Sequence, residues 1–164
     1  MLVLSWSAAG AAFFADRRPL GMPVRGVSAG AVSSTFGAPR EGGRRRHRGA
    51  DIFAARGTPV VAAHSGVVVA RATLSLGGRT VATFGRRGVV CYYAHLDRWA
   101  PGLAVGDWVR EGDVLGTVGN TGNARTTPPH LHFGTYVLWR AGAAVDPVML
   151  LRPSERSSPP PDRK

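Results

Sequence analysis

Six residues of this chain have the types and spacings to hold a metal ion or move a proton: His47, Asp51, His64, His95, His130 and His132. His130 and His132 stand in Pro129-His130-Leu131-His132-Phe133, followed by Thr135-Tyr136-Val137-Leu138. On a strand, residues two apart project to one face, so both imidazoles point at one site while Leu131 points away. His47 and Asp51 frame Arg48-Gly49-Ala50, and Ile52-Phe53-Ala54 continues as a strand. Glycine at 49 permits a close backbone approach that brings both side chains to one ion. Imidazole and carboxylate are both good zinc donors, and catalytic zinc usually takes three protein ligands with a fourth place for water. His47, Asp51 and one of the His130/His132 pair would make that set. His95 ends the apolar run Val89 to Tyr93 and has the chemistry of a base near neutral pH, since free imidazole titrates near about 6.5. His64, between Ala63 and Ser65, has no companion motif and is expected to be structural.

The elements that must position these groups read as strands. From about Ser33 to about Leu151, short apolar runs alternate with glycine. Thr58 to Ala63, Gly66 to Ala70, Thr80 to Phe84 and Val89 to Tyr93 are each of strand length and rich in β-branched residues. No segment keeps a helical period, so the expected class is all-β, a compact sandwich or barrel. The segment Val105 to Gly116 resembles the Gly-rich hairpin of biotinyl and lipoyl carrier domains, and Gly57 to Val68 a degenerate copy of it. Carriers need a lysine at the hairpin tip, and the only lysine here is Lys164, which dismisses the carrier function and keeps the architecture. Met1 to Asp16 is expected to be a weakly helical or disordered lead-in. Leu20 to Val32, with Pro23 and three glycines, reads as an extended arm. The tail Ser154 to Lys164, with Pro159-Pro160-Pro161, is expected to be disordered. The organisation is thus an arm over 1–32, one domain over 33–151 and a Pro-rich tail over 152–164, with flexible ends.

Composition narrows the partners. The 164 residues carry 21 Lys+Arg against 10 Asp+Glu, a net charge of +11. Such an excess suits a polyanion, whether nucleic acid, an anionic membrane or an acidic wall polymer. Nucleic acid is not expected, because the aromatics sit within apolar runs and the histidines would go unexplained. Cys91, the single cysteine, rules out an internal disulfide and reads as a buried thiol in its apolar run. The first residues lack the basic region and cleavage site of a signal peptide, so export would need a longer leader or membrane anchor. A monomer is the default expectation.

Taken together the residues resemble the lysostaphin-type zinc metallopeptidases, which cut peptide cross-links in bacterial cell walls. The resemblance rests on Phe36-Gly37, His47-x-x-x-Asp51, Gly57-Thr58-Pro59-Val60, Gly66-Val67-Val68, Tyr93-x-His95-Leu96, Gly106-Asp107-x-Val109-x-x-Gly112, Gly119-Asn120-Thr121-Gly122 and His130-Leu131-His132-Phe133, in the family's order. It implies a barrel-sandwich hybrid of antiparallel sheets, like glucose-permease and biotinyl/lipoyl domains. It further implies one zinc ion per chain held by His47, Asp51 and His132, with His130 and His95 as the catalytic histidines. A peptidoglycan peptide would be the substrate and the cell envelope, periplasmic or extracellular, the location. No HExxH glutamate is present, so a histidine has to supply the base. The family often has Glu after His-x-His-Phe where this chain has Gly134, so any support from that carboxylate is absent. The rival reading is a non-catalytic wall-binding or hydrolase-activating module of the same fold, which would be expected to have lost metal ligands. The run Arg44-Arg45-Arg46-His47-Arg48 is expected to steer anionic substrate toward the site.

Overall fold

Short β-branched runs between glycines fold as strands, and the computed structural model describes them over residues 18–138 and 141–151. The expected lead-in over 1–16 and the expected disordered tail over 154–164 lie outside the described residues. The strands are β1 (Pro39–Arg40), β2 (Arg45–Arg46), β3 (Ala50–Phe53), β4 (Pro59–Val61), β5 (Gly66–Leu74), β6 (Gly78–Gly85), β7 (Val89–Trp99), β8 (Trp108–Val109), β9 (Val114–Val118), β10 (His130–Val137) and β11 (Ala143–Val145). Only short 3₁₀ turns interrupt them, and no α-helix occurs among the described residues. β1 and β2 form a separate ribbon; the remaining strands make one antiparallel sheet in the order β11-β10-β7-β6-β5-β8. On that path β3 adds to β10, while β9 ties β4 to β7. The sheet folds over its core without closing into a barrel.

β5 and β7 run well past the apolar stretches that announce them, to Leu74 and Trp99. The apolar pattern marks only the half of each strand that faces the core; the far halves are held by ladder hydrogen bonds to β6 and β9. The two Gly-rich segments pair with each other, β4 on β9 and β5 on β8. Their turns interlock through backbone bonds: Ala62 N–H to Asp113 O and Gly112 N–H to Ala62 O, both 2.9 Å, and Gly106 N–H to Val68 O, 2.8 Å. Gly57 and Gly106 occupy matching turn positions at φ 87° and 98°, which residues with a Cβ resist.

The core joins Leu131 and Phe133 of β10, Tyr93 and Leu96 of β7, Leu115 and Val118 of β9, and Ile52 of β3. Tyr93 keeps its hydroxyl satisfied there by accepting the Ala63 N–H at 2.9 Å. Cys91 is fully buried, and burial pushes its thiol pKa up. The segment 20–32 is not extended throughout: it turns at Gly26, φ 78°, and makes a 3₁₀ turn over Ala29–Ala31, and its Leu20, Val24 and Val32 pack into the core. Leu20 N–H donates to Leu150 O at 2.7 Å, and Val24, 1 % exposed, bridges Val60.

His64 is a structural residue: it is 0 % exposed and its Nε2 meets Thr83 Oγ1 at 3.0 Å. Burial, reinforced by the Arg86 charge, lowers its pKa from 6.5 to about 4. Between those values the unfolded chain binds a proton that the folded chain refuses, so this contribution is full above pH 6.5 and is lost as pH falls toward 4. The loss is on the order of 3 kcal/mol at about 1.4 kcal/mol per unit. Urea denaturation of His64→Gln, which keeps a polar partner for Thr83 and cannot titrate, is expected to lose less stability than the parent chain between pH 7 and pH 4. Parallel pH curves would remove His64 as the source.

Candidate metal centre

Strand register assembles the site. In the β3–β10 ladder His132 is the direct partner of Asp51, and His130 of Phe53. Directly opposed side chains lie about 4.5–5.5 Å apart at Cβ on one face, so Asp51 and His132 face one another outside the core while Leu131, 0 % exposed, fills it. The β1–β2 ribbon delivers His47 beside them: its backbone N–H donates to Ala38 O at 2.9 Å. His47 Nε2 lies 3.1 Å from Asp51 Oδ1 and 2.9 Å from His132 Nδ1, and His132 Nδ1 lies 3.0 Å from the same carboxylate oxygen. These three residues form a group with the spacing to hold a metal ion.

The partners of these groups specify their protonation. His47 Nδ1 faces the Thr35 carbonyl at 3.0 Å. Thr35 Oγ1 lies 2.9 Å from the same nitrogen, so Thr35 holds Nδ1 and Nε2 is the atom turned to the site. Asp51 Oδ2 accepts from Arg40 at 2.7 Å, which leaves Oδ1 to face the imidazoles. Burial alone would raise the Asp51 pKa, but the hydrogen bonds from His132 and His47 outweigh it and hold the carboxyl well below the usual range. A carboxylate oxygen and two imidazole nitrogens this close together need a proton or a cation between them. That is the donor chemistry of a zinc site with His and Asp ligands, and the residues present fit the ion.

Gly49 makes the convergence possible. A Cβ there would run into the Phe133 carbonyl at 2.5 Å and the His132 ring at 2.7 Å, and these cannot both retreat. Gly49→Ala is therefore expected to weaken zinc binding by about 10- to 100-fold, the cost of disturbing the support of a ligand, with the fold intact. Isothermal titration with zinc checks it; unchanged affinity would show that His132 does not depend on Gly49.

Two more histidines border the cluster. β7 changes partners at His95: Ala94 is its last residue paired to β10, and Leu96 the first paired to β9. The strand makes that switch with His95 at φ 63°, a left-handed conformation that costs a non-glycine residue about 1–3 kcal/mol. It turns the ring outward between the diverging strands, where Nδ1 donates to Thr121 O at 2.9 Å. Burial, together with the neighbouring imidazoles, lowers its pKa to about 4, so the ring is neutral near pH 7. His130 Nδ1 donates to Pro128 O at 2.8 Å, and its Nε2 lies 4.0 Å from Asp51 Oδ1. The His95 and His130 rings are 5.0 Å apart and meet edge to face. With Nδ1 of each ring on a carbonyl, Nε2 is the ring nitrogen left for the space beside the cluster.

All five residues expected at the site come together, and His64 stays apart in the core. Sequence reading missed their supports. Arg40 ends the two-residue strand β1 and Thr35 stands in a loop, neither with a pattern of its own. Thr121 lay within a motif with no assigned role, and Pro128 is held extended by the following Pro129. The Asp51 partner is Arg40 and not the run from Arg44 to Arg48, whose arginines are exposed. Phe53, 59 % exposed, flanks the His130 ring at 5.2 Å. Tyr92 lies edge-on to His132 at 6.3 Å.

The chain matches Peptidase family M23 over residues 45–147. It is 39% identical over 130 residues to the L-Ala--D-Glu endopeptidase of Bacillus subtilis, covering 75% of this chain and 40% of that protein. It thus spans less than half of that relative. The solved catalytic domain of the antimicrobial peptidase lysostaphin from Staphylococcus simulans superposes with a TM-score of 0.61 at 31% identity, covering 72% of this chain and 89% of that one. A zinc containing peptidase from Vibrio cholerae superposes with a TM-score of 0.63 at 26% identity, covering 83% of this chain and 39% of that one. The family match takes in all five residues of the cluster and both ladders that aim them, and on it the chain belongs to peptidase family M23.

Proposed function

We propose that this chain is a zinc endopeptidase that hydrolyses peptide cross-links or stem peptides of bacterial peptidoglycan, with the domain over 33–151 as its catalytic unit. The observation that carries the reading is the convergence of His47 Nε2, Asp51 Oδ1 and His132 Nδ1, bordered by His95 and His130, whose Nδ1 atoms each face a backbone carbonyl. His47, Asp51 and His132 would hold one zinc ion per chain. Zinc, when bound, supplies Lewis acidity toward a carbonyl and makes water acidic enough to lose a proton near neutral pH.

The protein's own groups handle the proton. His130 Nε2, beside the ligand set, accepts it from the attacking water, and the Pro128 carbonyl on Nδ1–H steadies the imidazolium that forms. The same Nε2–H then returns the proton to the leaving amine. His95 with Nδ1 committed to Thr121 has no second proton for an oxyanion, so its Nε2 accepts a hydrogen bond from the water and orients it. Phe53 walls the His130 side with apolar surface against which a peptide can lie.

The Bacillus subtilis relative is named an L-Ala--D-Glu endopeptidase and a Vibrio cholerae relative a peptidoglycan DD-endopeptidase, which supports a peptidoglycan substrate and a location in the cell envelope. A monomer with envelope attachment outside the described residues is the simplest state. Purified peptidoglycan treated with the protein is expected to release new amino groups, to stop when a chelator is added, and to resume with zinc. A folded, zinc-loaded protein that releases none would defeat the reading.

A further inference from the structure

A groove opens next to His95, between the tip of the β5–β6 hairpin and the turn from Thr121 to Arg125. Its volume is about 530 Å³, and Thr73, Ser75, Arg79, Thr121 and Arg125 are among the residues that line it. Its walls are fixed. Arg79 N–H donates to Thr121 Oγ1 at 2.9 Å, Thr121 Oγ1 donates to Leu96 O at 2.9 Å, and Asn123 N–H donates to Leu76 O at 3.0 Å. Gly78 and Gly122 pack so closely that a Cβ on either would strike the other's segment. The groove is also tied to the reacting groups, since the residue that lines it, Thr121, holds the His95 ring through its carbonyl.

Its charge is one-sided. Arg40, Arg45 and Arg56 each pair with a carboxylate elsewhere in the molecule. Arg79 instead gives its guanidinium to a neutral acceptor, Asp97 O at 2.7 Å, and Arg125 is exposed with no side-chain partner among the described residues. No acidic residue lines the groove. Two cationic groups in a rigid wall leave forked N–H donors directed to no anion of this chain, and a guanidinium fork matches a carboxylate.

We propose that this groove is a subsite for a free carboxylate of the peptide substrate, next to the bond that is cut, and that Arg125 is the residue that selects the charged form. The inference rests on the endopeptidase reading above and adds to it the chemistry of the neighbouring substrate residue. Thr121, which lines the groove and bonds His95, places such a carboxylate on a part of the substrate near the bond that is cut. Arg79, braced by Asp97, adds a fixed positive field.

The test compares two cross-linked peptides that differ only in whether their free carboxylates are left or converted to carboxamides. The parent protein is expected to favour the carboxylate form by about 10- to 100-fold in kcat/KM, mostly through KM, the range of one or two charge-assisted hydrogen bonds. Arg125→Gln is expected to lower activity on the carboxylate form alone and bring the two substrates within about threefold, and Arg125→Lys to keep part of the preference. Equal activity of the parent on both peptides would overturn the subsite while leaving the endopeptidase reading standing, and so would an equal loss on both in Arg125→Gln. If the parent cut neither peptide and released no amines from whole peptidoglycan, the endopeptidase reading would fall and this inference with it.

Discussion

His132→Ala is expected to lose the metal and, with it, activity by about a thousandfold or more. Disturbing a residue that merely supports a ligand costs about 10- to 100-fold in affinity, and removing one of three donors costs more. The fold should persist, because His132 points out of the sheet while its neighbours Leu131 and Phe133, both 0 % exposed, keep β10 seated in the core. The ladder opposite Asp51 is a backbone interaction that alanine retains. Zinc content after gel filtration, measured beside the melting temperature of metal-free protein, separates metal loss from unfolding. Full zinc occupancy in folded His132→Ala would show that this imidazole is not a ligand.

His130 and His95 are expected to behave in the opposite way. His130→Ala should keep its zinc and lose about a hundredfold to ten-thousandfold in kcat, the range of a positioned acid–base group. At position 95 the replacement has to suit φ 63°, so His95→Asn is the cleaner variant, since asparagine tolerates the left-handed region better than alanine. It too should keep zinc while kcat falls. Because both rings serve one proton path across a 5.0 Å gap, the double variant is expected to be little slower than the worse single one. Fully additive losses would place the two histidines in separate steps. Zinc lost from either single variant would make that residue a ligand.

How far the site could be read from the sequence depended on whether a contact is local. His130 and His132 were legible as a pair, because a period of two puts both on one face of any strand. Which of them binds metal was not legible from spacing. The β3–β10 register puts His132 opposite Asp51 and His130 opposite Phe53, which supports His132, the choice that came beforehand only through the family resemblance. The all-β class and the interlocked glycine hairpins were legible for the same local reason. His95 depends on a strand that changes partners under a left-handed residue, which no window of sequence reports. Arg40 reaches the site from the two-residue strand β1 and Thr35 from the loop before it, elements too short to leave a pattern. The positive charge was legible in total. The bond of Arg40 to Asp51 was not, because the two meet only through the fold; the run from Arg44 to Arg48 lies exposed.

The central claim is that this chain cuts wall peptides only when zinc sits among His47, Asp51 and His132. The most direct measurement is a titration of metal-free protein with zinc, following bound metal and the release of amino groups from peptidoglycan in the same samples. The rate is expected to rise in proportion to bound zinc and to level off at one ion per chain, with fragment masses that show hydrolysed peptide bonds. Undiminished release by the metal-free protein, or no release at full occupancy, would contradict it.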